Sequence, residues 1–184
     1  MAEANLEVPY IETDRLILRG LTAHDIGFLF EHFSKDEINE CSSADNVTSK
    51  KEAEEFYEKY IVPTPTRFRL GLVFKETNRL IGTVGFYKYS KRDSCVTVGA
   101  DLAKEFWGSG LMKETLNALI QYGFEKMGLN RIEATTDPEN IRAVRLIERL
   151  GFKKEGVLRG KYFYKGRFHD DIIYSLLREE WMKI

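Results

Sequence analysis

The sequence predicts a single α/β (α+β) domain over residues 1–184, with a mixed central sheet of about six to seven strands flanked by about four helices. Three observations carry that expectation. Segments of period-two alternation and segments of helical period succeed one another in the order β-α-α-β-β-β-α-β-α-β-β. Turn signals separate them, and there is no internal repeat, low-complexity tract or linker. The 184 residues, 43% hydrophobic and 31% charged, suit one sizeable core without disordered or fibrous bias.

The first strand is expected over Thr13–Leu18, where Leu16 and Leu18 alternate with polar neighbours. Thr22 then reads as an N-cap with Asp25 in the first turn, ahead of Ile26, Leu29, Phe30 and Phe33 at helical spacing. A second helix opens near Ser49, with Glu52 completing a capping-box pattern. Its stripe of Ala53, Phe56, Tyr57, Tyr60 and Ile61 ends before Pro63.

A β-meander follows over Phe68–Phe74, Leu80–Tyr87 and Cys95–Leu102, with turns at 76–79 and 91–93. From Leu111 to Met127 the period is helical, and Gly128 reads as the stop. Arg131–Thr136 is a short strand that Asp137-Pro138 breaks, and a helix over Asn140–Leu150 ends at Gly151. Phe152–Leu158 and Ile172–Leu177 read as the last strands, around a turn at Lys165-Gly166.

Bulk properties exclude several functions. A net charge of −1 gives nothing global to recruit nucleic acid or an anionic membrane. Cys41 and Cys95 are too few for a disulfide framework, and no ligand cluster suggests a metal. The N-terminus lacks a secretory pattern, and no apolar run nears the ~20 residues a bilayer requires. A cytoplasmic enzyme or binding protein is expected.

The segment from Asp101 to Met112 runs from strand into helix through Trp107-Gly108-Ser109-Gly110. Glycines there let the backbone turn several N–H groups inward, and the next helix adds its free donors and positive end. Such a turn suits a pyrophosphate. It also suits a plain strand–helix connection, and it is neither a Rossmann fingerprint nor a Walker A loop.

Its context is more specific. The chain carries, in order, Thr13-Asp14-Arg15-Leu16-Ile17-Leu18-Arg19, Ile81-Gly82, Val98-Gly99, Phe106-Trp107-Gly108-Ser109-Gly110, Arg131-Ile132-Glu133-Ala134, Pro138-Glu139-Asn140, Gly151-Phe152, Glu155-Gly156, Gly166-Arg167 and Asp170. That ordered set resembles the GNAT acyltransferase superfamily, and within it the ribosomal-protein N-acetyltransferases of the Rim type. The resemblance implies acetyl transfer from acetyl-CoA to a primary amine in a ternary complex, the amine being a protein N-terminus, a polyamine or another small amine. No metal is implied, and a homodimer is left open.

By the same resemblance, the backbone of Trp107, Gly108, Ser109, Gly110, Leu111 and Met112 cradles the CoA pyrophosphate. Ala100, Asp101 and Leu102 pair with pantetheine as an added strand. Asn140 and Ala143 line the cofactor, Asn140 doubling as an N-cap. Trp107 and Met112 depart from the usual Gln/Arg and Gly/Ala.

An α-amine, with a pKa near 8, is partly neutral at cell pH, whereas a lysine or polyamine amine near 10 depends on a base. The thiol, roughly 8.5, leaves with modest help. The tyrosine acid of many GNAT enzymes falls at Ile147, and a serine of some Rim-type members at Ala143. Tyr162, Tyr164 or a proton shared between the thiol and water are the remaining candidates for the acid.

Glu133 is the base candidate, with an ion pair to Arg131 as its structural alternative. His169 and Asp170 fall where family members line the substrate cleft, and Asp170 equally suits a loop anchor. Asp36, Glu37, Glu40 and Asp45 would suit a basic acceptor or simply a solvated loop. The missing acid also motivates a different reading, a degenerate acyl-CoA sensor. A nucleotide-binding protein using the same anion turn is a third.

Overall fold

The computed structural model describes residues 5–39 and 45–183; Glu40 and Cys41 lie outside them. Eight strands share one sheet. They are β1 (Ile11–Glu12), β2 (Leu16–Gly20), β3 (Phe68–Phe74), β4 (Arg79–Ser90), β5 (Cys95–Leu102), β6 (Arg131–Thr136), β7 (Lys153–Tyr164) and β8 (Arg167–Leu177). Their order across the sheet is β1-β2-β3-β4-β5-β6-β8-β7. Every neighbouring pair is antiparallel except β5 and β6.

The helices among the described residues are α1 (Ile26–Phe33), α2 (Asp36–Asn39), α3 (Lys50–Phe56), α4 (Leu111–Glu125), α5 (Ile141–Arg149) and α6 (Arg178–Trp181). Four match the expected helices; α2 and α6 are single turns too short to show a period. The caps lie where local chemistry puts them. The Ser49 hydroxyl accepts from Glu52 N–H at 3.2 Å. Asp25 accepts from Thr22 N–H at 2.8 Å and from both Arg19 guanidinium nitrogens at 2.9 Å. Gly128 ends the α4 region in the left-handed conformation, φ 67°.

The sheet carries a core on each face. Leu16, Leu18, Leu70, Leu72, Val84 and Phe86 pack with Leu116, Leu119, Ile120 and Phe124 of α4 and Ile147 of α5. A second core, with Leu29 and Phe33 of α1 and Ala53 of α3, includes Leu21 and Ile61. It covers only part of the opposite face.

The terminal hairpin is longer than the sequence suggests: β7 and β8 reach the turn at Lys165-Gly166 without a break. β7 is an edge strand and most of its residues are exposed, so its charges mask any alternation. Register shifts between Lys154 and Gly156 and between Leu158 and Tyr162 disturb the pattern further.

Candidate active site at the parting of β5 and β6

The parallel pair β5–β6 runs in register from Cys95↔Arg131 only to Val98↔Ala134. Beyond that point β5 continues to Leu102 against β4 alone, and β6 to Thr136 against β8 alone. The strands therefore part at their carboxyl ends, where ligand crevices of α/β sheets form. Ala100, in a central strand, is exposed as a result. Ala103 N–H donates to the Ile81 carbonyl at 2.7 Å. By strand alternation, Leu102 and Ala100 turn their backbone groups away from β4 and into the notch.

The predicted glycine loop lies at the mouth of this notch. Gly108 (φ 78°) and Gly110 (φ 81°) are both left-handed, and Gly110 is the N-cap of α4. The next amides belong to the first turn, where the helical ladder offers no acceptor. Arg15, for which the sequence suggested no role, holds the loop from below. It donates from Nη1 to the Ser109 carbonyl at 3.0 Å and from Nε to Glu114 at 2.7 Å. Burial raises the Glu114 pKa, but hydrogen bonds from Thr13, the Arg15 amide and the Arg15 side chain outweigh it and hold the carboxyl below its ordinary range. The Ser109 hydroxyl donates to the Phe106 carbonyl at 2.5 Å and accepts from the Leu111 amide at 3.4 Å, bracing the turn.

Two departures in the loop are structurally resolved. Met112 is partly buried and packs against the main core. Trp107 does more than lend its backbone: its indole N–H donates to the Leu102 carbonyl at 2.7 Å. The Arg142 guanidinium carbon stacks 3.9 Å from its ring centroid. The Leu102 carbonyl, expected to pair with pantetheine, is thus already engaged, and the open edge is carried by Ala100.

The Asp101 side chain points the other way, beneath α1. It takes His32 Nε2 (2.6 Å), Arg69 Nη2 (2.5 Å) and the Thr83 hydroxyl (2.5 Å). Burial opposes its charge, but Arg69, His32 and Thr83 prevail and hold its pKa at about 2.

The remaining predicted residues have separate partners. Asn140 caps α5 by accepting from Ala143 N–H at 3.1 Å. Glu133 is bound to Arg131 at 2.9 Å, so its carboxylate is committed to a cation. Asp170 accepts from Gly160 N–H at 2.8 Å and anchors the irregular part of β7. His169 is buried: Asp137 lies 2.8 Å from Nδ1, and the Tyr162 ring stacks on it.

Tyr162 also donates to Asp137 at 2.9 Å. Burial raises the Asp137 pKa, but the Glu139 amide, Tyr162 and His169 together lower it. The donor atoms of Asp137, Glu139 and His169 lie within 4.8 Å of one another. Arg167 pairs with Glu139 at 2.6 Å, so ion pairs and hydrogen bonds knit this cluster. A groove of about 560 Å³ opens beside it, against Asn140, Arg142, Lys165 and Arg167.

Comparison with known proteins agrees with this architecture. The family described as "Acetyltransferase (GNAT) domain" matches residues 15–153. The chain belongs to the GNAT acetyltransferase family. It is 33% identical over 172 residues to an uncharacterized N-acetyltransferase, YoaA, of Bacillus subtilis, covering 92% of this chain and 97% of the relative. It is 30% identical over 116 residues to the [ribosomal protein uS5]-alanine N-acetyltransferase of Escherichia coli, covering 62% and 59%. A spermidine N-acetyltransferase of Vibrio cholerae, solved with CoA and spermine, is similar in fold with TM-score 0.83 and 26% identity, covering 92% and 99%. This GNAT chain is an acetyl-CoA-dependent N-acetyltransferase, and the sensor reading is not favoured. No helix among the described residues is long and apolar enough to cross a membrane.

Proposed function

We propose that the enzyme acetylates a primary amine on a protein N-terminus or a small polyamine, by direct attack within a ternary complex. The observation that supports this most is the parting of β5 and β6 after Val98 and Ala134, with a preformed anion loop at its mouth. In this reading the amides from Gly108 to Met112 hold the pyrophosphate. The Ala100 backbone pairs with pantetheine as an added strand. Both acceptor classes are largely ammonium ions at neutral pH, and one similar enzyme is complexed with spermine while another is named for a ribosomal-protein alanine.

In this reading Tyr162, stacked on His169, turns its one O–H proton from Asp137 to the departing thiolate. Because a thiol near 8.5 is a fair leaving group, that help is modest. Tyr162→Phe is expected to lower kcat about tenfold with the KM for acetyl-CoA unchanged, below the usual range of general acid catalysis because the thiolate needs little help. Steady-state thiol release at saturating acetyl-CoA measures this, and an unchanged kcat would remove Tyr162 from the reaction.

The reading itself is tested by thiol release from acetyl-CoA with spermine and with an alanyl peptide. Turnover with either supports it. CoA binding without turnover of any primary amine would contradict it.

A further inference from the structure

On the sheet face opposite α4 and α5, the strands beside the notch carry a cluster that the predicted site did not include. Tyr87 of β4 lies across Gly99: a Cβ built there would come 2.8 Å from the ring and 3.4 Å from its hydroxyl. The hydroxyl donates to the Val98 carbonyl at 3.4 Å, on the last residue of β5 that β6 pairs. Thr135 is the first residue of β6 past that pair, and it is exposed. Asp171 of β8, a half-buried carboxylate opposite Leu158 of β7, stands two residues from Ile173, the partner of Thr135, and so on the same sheet face as Thr135. Asp171 is also near enough to raise the Tyr87 pKa by its charge, adding to burial.

We infer that Asp171, set with Thr135 and Tyr87 where β5 and β6 part, receives the acceptor's ammonium group and takes its proton as the amine attacks. The inference rests on the acetyl-transfer reading above. Neighbouring carboxylates are occupied: Glu133 by Arg131, Asp137 by Tyr162 and His169, and Asp170 by the Gly160 amide. Among the described residues Asp171 is in no ion pair within 4.0 Å, and the nearby Thr135 hydroxyl favours its charged form. Lys161 of β7 and Lys88 of β4 face it from outside and lower its pKa, while Asp137 of β6 raises it. Burial is the largest influence, and the carboxyl lies above its ordinary range, which makes it a better proton acceptor.

The step balances. The ammonium gives one proton to Asp171, and the freed lone pair forms the C–N bond with the thioester carbonyl carbon. The C–S bond breaks, sulfur leaves with its electron pair, and the thiolate takes a proton from Tyr162. The amide nitrogen loses its second proton to restore the phenol, and Asp171 releases its own to solvent.

The test compares wild type, Asp171→Asn and Asp171→Glu by thiol release with spermine and with an alanyl peptide, alongside CoA calorimetry and thermal melts. Asp171→Asn is expected to lose about 100-fold in kcat/KM, the low end for general acid–base catalysis, with CoA affinity within twofold. In wild type kcat/KM rises with pH as the carboxyl ionises. In the variant that limb is replaced by one that follows the amine's own pKa, and Asp171→Glu restores at least a tenth of the lost rate. Turnover that Asp171→Asn leaves within threefold of wild type, or a loss matched by weaker CoA binding, overturns the assignment alone. A wild-type protein that binds CoA but acetylates neither amine overturns the transfer reading and the assignment with it.

Discussion

Gly110→Trp is expected to weaken CoA binding by more than about 100-fold while leaving the fold in place. Gly110 is exposed and sits at φ 81°, ψ −3° as the N-cap of α4. A Cβ there meets only the Arg15 guanidinium, at 3.6 Å, so the added side chain clashes with no core. Its cost to folding is the left-handed backbone, about 1–2 kcal/mol for a non-glycine residue. For a chain of this size that is a fall in Tm of roughly 2–8 °C.

Its cost to binding is larger, because an indole at the cradle's edge displaces the pyrophosphate. Losing even two charge-assisted hydrogen bonds at about 1.5–3 kcal/mol each exceeds the ~2.8 kcal/mol that equals 100-fold. Gly110→Ala carries the backbone strain without the bulk and is the matched control. Calorimetry with CoA reads the difference, and a Gly110→Trp protein that binds CoA like Gly110→Ala would remove the pyrophosphate from this loop.

Asp101→Ala is expected to be the most destabilising single substitution near the site. The carboxylate joins Arg69 and Thr83 on the sheet to His32 on α1, and His32 is 2% exposed. Removing one partner of such a network leaves the Arg69 cation facing a void, at about 3–5 kcal/mol. The corresponding fall in Tm is roughly 6–20 °C.

Acid should reproduce part of this effect in wild type. Folding lowers the Asp101 pKa from 3.8 to about 2, so the associated stability is fully present above the unfolded value. It is lost as pH falls through the folded value, and the amount is about 2 kcal/mol. Urea melts of wild type and Asp101→Asn between pH 5 and about 2 should therefore converge toward the acid end. Parallel curves would show that Asp101 is not charged in the folded protein.

These two positions show what was legible in the sequence. Gly110, the caps Ser49 and Asn140, and the β-meander are read from neighbours only a few residues apart, and each lies where the pattern put it. The His32–Asp101 contact joins residues 69 apart, and Asp137–His169 residues 32 apart. No local spacing encodes either. Asp101 was legible as part of the strand whose backbone borders the notch, but which way its side chain turned depended on α1 docking on that face.

The same reason explains Arg15, whose partners Ser109 and Glu114 are distant in the chain. It explains Asp171 as well. Its neighbour Asp170 matched the family pattern, while the parting of β5 and β6 that gives Asp171 its setting exists only once the sheet is assembled. β7 was underestimated on different grounds, because an exposed edge strand with two register shifts keeps no regular alternation.

The most direct test of the central claim is a crystal structure of the protein with acetyl-CoA. The pyrophosphate is predicted on the amides of Gly108–Met112, with pantetheine along Ala100 and the thioester carbonyl between β5 and β6 beside Thr135. A pyrophosphate held instead in the groove between Arg142, Lys165 and Arg167, with the notch empty, would contradict it.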